Sequence, residues 1–311
     1  MILCCGNIAF DLISKGKKQE PTLDFSARPG GSVFNTAILL SRLGLRVSLL
    51  AKTGTDFLSK NLCHIMLKEK LNTKNIVYNK NIKPGLAIAK INKKGDSSYI
   101  FYKTQGKITA FSKKEIPSSI FNNIKAFHTA SAFSYNNFTF ENTLSLMQQA
   151  KKKNILISYD PNWRENRIKN KKMARIRIKK LLRYVDLLKL SEQDALGITS
   201  SKTLSSALKK LPQKVVITLG GKGSFFYKNK KRIFCPAFKI PLVDTIGAGD
   251  GFTAGLLFRY CVQKKQGPLD ITKEDLVFAS AVSALICGGT GATENLHNLF
   301  QVQRFLKKYN R

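Results

Sequence analysis

The sequence predicts an α/β fold: a doubly wound, mainly parallel sheet flanked by helices, with a small β lid projecting from it. Three observations carry this. From Ala126 onward short apolar runs alternate with amphipathic ones: Ala126–Ala130, Phe138–Lys152, Ile155–Tyr159, a basic amphipathic block, then Val185–Leu190. Such strands suit a sheet covered on both faces. Polar residues follow the strands, in Asp160-Pro161-Asn162-Trp163-Arg164, Ser191-Glu192-Gln193-Asp194 and Thr218-Leu219-Gly220-Gly221-Lys222-Gly223, where open sheets bind ligands. Finally, Gly85–Asn92 and Ser97–Lys103 are β-type runs joined by Lys93-Lys94-Gly95-Asp96, a hairpin signature.

In chain order, Met1–Ala9 reads as a buried strand, with Gly6 and Asp11 marking its C-terminal end. Asp11 is then a candidate for binding hydroxyl groups, because a carboxylate accepts two or more hydrogen bonds. Pro29-Gly30-Gly31-Ser32 leads into a helix over Val33–Leu43 that stops at Gly44, with Asn35 in its first turn. Arg46–Ala51 is a second strand and Asp56–Leu71 a helix. The 85–104 hairpin, with residues around 10–28, forms the lid. Its apolar residues Leu86, Ile88, Tyr99 and Phe101 could pair edge to edge in a homodimer. Val215–Leu219 followed by Gly-Gly-Lys-Gly is either a phosphate-binding turn or a plain hairpin into Ser224–Tyr227. Glu274–Ile286 is an apolar helix ended by Gly288-Gly289-Thr290-Gly291, and Leu296–Tyr309 a closing helix. That glycine-rich end could flank a flat ligand such as adenine.

The chain has 311 residues, 43% of them hydrophobic, enough for a real core. Met1–Phe10 has no basic leader region and no stretch approaches ~20 uncharged apolar residues, so a soluble, cytoplasmic protein is expected. Cys4, Cys5, Cys63, Cys235, Cys261 and Cys287 are scattered, with no C-x-x-C pair. Reduced thiols and no zinc site are expected. The net charge of +34 raises a basic nucleic-acid-binding module as an alternative of another class. The lysines are spread along the chain, however, and no arginine–glycine tract, zinc finger or aromatic RNA-binding signature is present. The densest block, Arg164–Arg183, reads as an amphipathic helix with a solvated basic face. No specific nucleic acid and no membrane partner are expected, only some steering of anionic substrates.

Asp244–Leu257, Asp-Thr-Ile-Gly-Ala-Gly-Asp-Gly-Phe-Thr-Ala-Gly-Leu-Leu, is the most informative stretch. Gly247, Ala248 and Gly249 leave backbone N–H groups open to an anion, and a helix opening at Asp250 adds a positive dipole end. That dipole is expected to keep Asp250 ionised as a proton acceptor. Phosphoryl transfer to a hydroxyl needs both parts. Asp250 could equally be a helix cap after a glycine-rich turn.

Together these pieces resemble the ribokinase-type (PfkB) family of carbohydrate kinases over nearly the whole chain. The family's second signature is met by Asp244–Leu257. Its first is met by Gly30-Gly31-Ser32-Val33-Phe34-Asn35-Thr36-Ala37 with Arg42-Leu43-Gly44. The resemblance implies a single ribokinase-like domain over 1–311, with the catalytic base at Asp250 and an anion hole at Gly247, Ala248 and Gly249. It implies sugar contacts from Asp11, Gly30, Gly31, Asn35 and Arg164. Ser191, Thr218, Gly220, Gly223 and Gly291 would hold ATP. Mg²⁺ would be bound through water near Asp194, and a K⁺ site would lie at Asp244 with the Gly288–Gly291 loop. Asp-Pro-Asn-x-Arg resembles the fructokinase-like and 2-keto-3-deoxygluconate-kinase-like branches. The opening Met-Ile-Leu-Cys-Cys-Gly and the Phe101-Tyr102 pair point to the former, hence to phosphorylation of fructose at a primary hydroxyl. Two departures stand out: Gly6-Asn7 replaces the usual Gly-Glu, and Ser191-x-x-Asp194 the usual Asn-x-x-Glu.

Overall fold

In the computed structural model, which describes residues 1–14, 24–91, 97–102, 109–262 and 270–310, the first apolar run splits in two. Ile2–Cys5 (β1) is buried throughout. Ala9–Ser14 (β2) leaves the main sheet and pairs antiparallel with Phe25–Gly30 (β3). Asp11 therefore does not end the first strand, as the sequence suggested. It sits inside β2, in register with Arg28. The chain then enters the Ser32–Arg42 helix (α1), Val47–Thr53 (β4), the Phe57–Lys68 helix (α2) and a short edge strand, Ile76–Tyr78 (β5). Gly85–Ile91 (β6) and Ser97–Tyr102 (β7) pair antiparallel as expected. Their 92–96 turn and residues 15–23 of the expected lid lie outside the described residues.

The second half alternates as the sequence implied: Ala126–Ala130 (β8), Phe140–Lys152 (α3), Leu156–Asp160 (β9), Lys171–Leu182 (α4) and Leu187–Ser191 (β10). The basic block becomes α-helical only at Lys171, where the Asn170 side chain caps Met173 N, after a single 3-10 turn at Glu165–Arg167. Arg164 stands before it in a loop. Two short helices follow, Glu192–Thr199 (α5) and Leu204–Leu208 (α6). Next come Lys214–Thr218 (β11), Ser224–Lys228 (β12), Lys231–Cys235 (β13), Ala248–Val262 (α7), Lys273–Cys287 (α8) and Leu299–Lys308 (α9). β11 and β12 are antiparallel, so the Gly220–Lys222 turn joins a hairpin.

Among the described residues the main sheet runs β13-β12-β11-β10-β9-β8-β1-β4-β5, and the lid sheet runs β3-β2-β6-β7. β1 pairs in parallel with both β4 and β8, so strand order reverses beside it. Such a switch point opens a crevice at the strands' carboxyl ends. One core layer holds α1, α2, α7, α8 and α9, and the opposite layer holds α3 to α6. Asp250 through Phe258 of α7 are all buried, so this helix is central rather than amphipathic.

Strand periodicity also sorts the lid. Ile13 and Ala89 face inward and pack with Ile246 and Ala292. The outward face pairs half-buried Leu86 and Ile88 with Tyr102 and Ile100, which are 59% and 62% exposed. The side chains of Tyr99 and Phe101, expected on that face, lie outside the described residues. Among the described residues no helix is long and apolar enough to cross a membrane, and the six cysteines are free thiols.

Candidate active site

Two helix N-termini converge on one carboxylate. Asp250, in the first turn of α7, accepts hydrogen bonds from Ser32 Oγ (2.5 Å) and Asn35 Nδ2 (2.8 Å), both in the first turn of α1. Gly31 makes that approach possible. Its φ of 98° is left-handed, a region glycine enters freely, and an added Cβ would lie 2.7 Å from Asn7 O. At Gly30 a Cβ would fall 2.6 Å from the Asp11 carboxyl, so this glycine makes room for the side chain of Asp11.

Asp250 is 7% exposed. Burial pushes its pKa up to about 6, while the Ser32 and Asn35 hydrogen bonds pull it down. The carboxyl is thus still ionised at neutral pH, as the sequence suggested, but desolvation sets its pKa above the ordinary value, leaving a group suited to taking a proton near neutrality. Asp11, equally buried, is raised to about 7 by burial and by the Asp250 charge, against Arg164 and Arg167. Asn35 Oδ1 is buried with no hydrogen-bond partner among the described residues, an acceptor directed at a polar ligand.

Asp250 borders two cavities. The first lies under the lid, between Asp11, Gly31, Asn35, Asn136 and Arg164. The second runs along the strand ends past Asp160, Lys189, Ser191, Asp194, Thr218 and Gly220. Asn162, Arg164, Arg167, Gly247 and Asp250 line both. Asp250 thus stands where the two cavities meet.

The Gly247–Gly249 turn lies at this junction. Ser283 Oγ donates to Ala248 O at 2.9 Å and Thr253 Oγ1 to Gly249 O at 3.0 Å. Ala248 N itself donates to Thr245 O at 3.3 Å. Asp194 forms a capping box with Ser191, accepting from its N (2.9 Å) and Oγ (2.7 Å). Asp244 is fully buried and joins two loops, accepting from Ile246 N (2.7 Å) and Gly291 N (2.8 Å). Burial raises its pKa and those two bonds lower it. Gly291 thus packs with Asp244 under the lid, near Ile13 and Arg28. Gly223 closes the β11–β12 hairpin against Cys235 O. Neither borders the strand-end cavity, which takes Thr218, Leu219 and Gly220 from that side.

Three site residues escaped the sequence reading. Ser32 lay inside a quoted motif without a role. Arg167 was hidden among the other basic residues of its block. Lys189, a lone charge in an apolar strand, was a signal that went unused.

Residues 1–299 match the family described as pfkB family carbohydrate kinase. The chain is 27% identical to fructokinase-1 of Oryza sativa subsp. japonica, over 91% of this chain and 90% of that protein. Its backbone superposes on fructokinase from Xylella fastidiosa with bound ATP at a TM-score of 0.87, with 23% identity, covering 100% and 99% of the two chains. It superposes on fructokinase from Vibrio cholerae, in a fructose, ADP and calcium ion bound form, at 0.85, with 22% identity and 98% coverage of each.

Proposed function

The chain belongs to the pfkB family of carbohydrate kinases, and from that premise we propose that it transfers the γ-phosphate of ATP to a primary hydroxyl of fructose, giving fructose 6-phosphate. The observation that carries this reading is Asp250 at the junction of the two cavities, held by Ser32 and Asn35. The sugar occupies the pocket under the lid, where Asp11 and Asn35 Oδ1 accept hydrogen bonds from its hydroxyls. ATP lies along the strand-end cleft over Ser191, Thr218 and Gly220, with Gly223 shaping the turn.

As the hydroxyl attacks, Asp250 accepts its proton. N–H groups at the start of α7 stabilise charge on the transferring phosphoryl. Arg164 and Arg167 face both ligands and hold them in line. The lid excludes water. The donor cleft is lined by carboxylate and hydroxyl oxygens, which suit Mg²⁺ held through water and phosphate near Asp194. Bound there, Mg²⁺ would neutralise phosphate charge. Among the described residues no three His, Cys, Asp or Glu side chains cluster to hold a metal directly. The Asp244 carboxylate with the Gly288–Gly291 loop is an oxygen donor set that suits K⁺.

Two arginines beside the acceptor pocket favour a second reading, in which the acceptor carries a carboxylate, as 2-keto-3-deoxygluconate does. A coupled ADP-release screen with Mg²⁺ and K⁺ decides, over fructose, 2-keto-3-deoxygluconate, ribose, tagatose and nucleosides. Fructose is expected to give the highest kcat/KM. The sugar acid ranking first would favour the second reading, and no turnover on any acceptor would overturn both. The exposed Ile100 and Tyr102 face supports a homodimer through the lid. Ile100→Asp is expected to shift the sedimentation coefficient to that of a monomer, and a wild type already monomeric would contradict it.

A further inference from the structure

One buried charge plays no part in the mechanism above. Lys189 stands between Leu188 and Leu190 of β10 and is 4% exposed. Its ammonium lies 2.6 Å from Asp160 Oδ2. An ion pair this deeply buried adds little stability over well-packed apolar residues, so the fold alone does not account for it.

Its neighbours suggest what does. On one side a Cβ placed on Gly249 would lie 3.1 Å from Lys189 Nζ, so the ammonium packs directly behind the main chain of the anion-hole turn. On the other, Asp160 Oδ1 accepts from Asn162 N at 3.2 Å. That bond holds Asn162 at φ 46°, in the bend that leads into Arg164 and Arg167. Lys189, Asp160, Gly249 and Asp250 all border the donor cleft. Burial works to lower the pKa of Lys189, but the Asp160, Asp194 and Asp250 charges more than offset it, and the group stays an ammonium.

We propose that Lys189 is a positioning residue for phosphoryl transfer: through Gly249 and Asp160 it holds the anion-hole turn and the arginine-bearing 160–167 segment at a fixed separation. This rests on the kinase reading above. Lys189 also relieves the negative field that Asp160, Asp194 and Asp250 would present to a triphosphate. The pair spans the two walls of the cleft, so its loss lets them drift by a fraction of an ångström, and displacements of that order cost turnover more than binding.

Lys189→Met alone strands Asp160 as a buried unpaired charge, which destabilises strongly. The decisive variant is the double Asp160→Asn/Lys189→Met, which removes both charges at nearly constant volume. Turnover is measured beside calorimetric binding of a non-hydrolysable ATP analogue and thermal unfolding. The double variant is expected to lose about 100-fold in kcat, with sugar KM and analogue Kd within about threefold of wild type and Tm retained. Lys189→Arg, which keeps the pair, is expected to retain more turnover than the double variant. A kcat within about threefold of wild type would overturn the proposal. So would a kcat loss matched by equal losses of analogue affinity and Tm, which marks a purely structural pair. A wild type that binds the analogue but phosphorylates no acceptor would instead overturn the kinase reading itself.

Discussion

Asp250 accepts two hydrogen bonds and stands at a helix N-terminus, yet burial still lifts its pKa to about 6. Two consequences are measurable. The carboxylate must be ionised to take a proton, so kcat/KM is expected to fall as pH drops through about 6; a profile flat to pH 4.5 would contradict the base assignment. The same shift acts on stability. The folded state binds this proton more tightly than the unfolded chain, so the stabilising contribution is full below the unfolded value of 3.8 and is lost as pH rises through about 6. A gap of that size corresponds to about 3 kcal/mol. Asp250→Asn should therefore be at least as stable as wild type at pH 8, measured by urea unfolding. Most of this site was legible in the residues, because Asp250, Asn35 and the small residues around them lie in short contiguous motifs. The pKa was not, because it depends on burial contributed by α1, which lies more than two hundred residues away in the chain. Arg167 was missed for the same kind of reason: what marks it is the cavity it faces, and neighbouring residues do not reveal it.

The helices and parallel strands were legible as elements because their apolar runs have clear lengths and periods. The exceptions were short or shared. β5 has three residues and α6 five, too few for a period to show. The Met1–Ala9 run was read as one strand although the strand stops at Cys5 and a second one, of the other sheet, opens at Ala9, since apolar residues continue on both sides of that break. Arg42 illustrates a link between elements that a motif conceals. Its guanidinium binds Glu69 of the α2 C-cap at 2.6 and 2.8 Å and also reaches Leu296 O at 2.8 Å and Thr293 O. It thereby ties α1 to α2 and to the loop after α8. Removing one partner of such a largely buried network is costly, and Arg42→Ala is expected to lose about 3 kcal/mol in denaturant unfolding. A loss under about 0.5 kcal/mol, the range of ordinary surface substitutions, would show that the link carries no load.

At the scale of the whole molecule, the +34 charge and the site obey different physics. Spread charge attracts any polyanion and is screened by salt, so duplex DNA binding should be indiscriminate and collapse between about 50 and 200 mM salt. Sequence discrimination surviving at the higher salt would point to a nucleic-acid function. The site instead depends on one topological fact, the reversal of strand order beside β1, which places the first turns of α1 and α7 against each other at the mouth of the sheet. The central claim is that Asp250, at that meeting point, takes the proton of the acceptor hydroxyl. Its most direct test is ADP release on fructose by Asp250→Asn beside wild type, with analogue binding and Tm recorded for both. A kcat lower by about a thousandfold or more, with binding and Tm retained, is the predicted result; a kcat within about tenfold of wild type would contradict it.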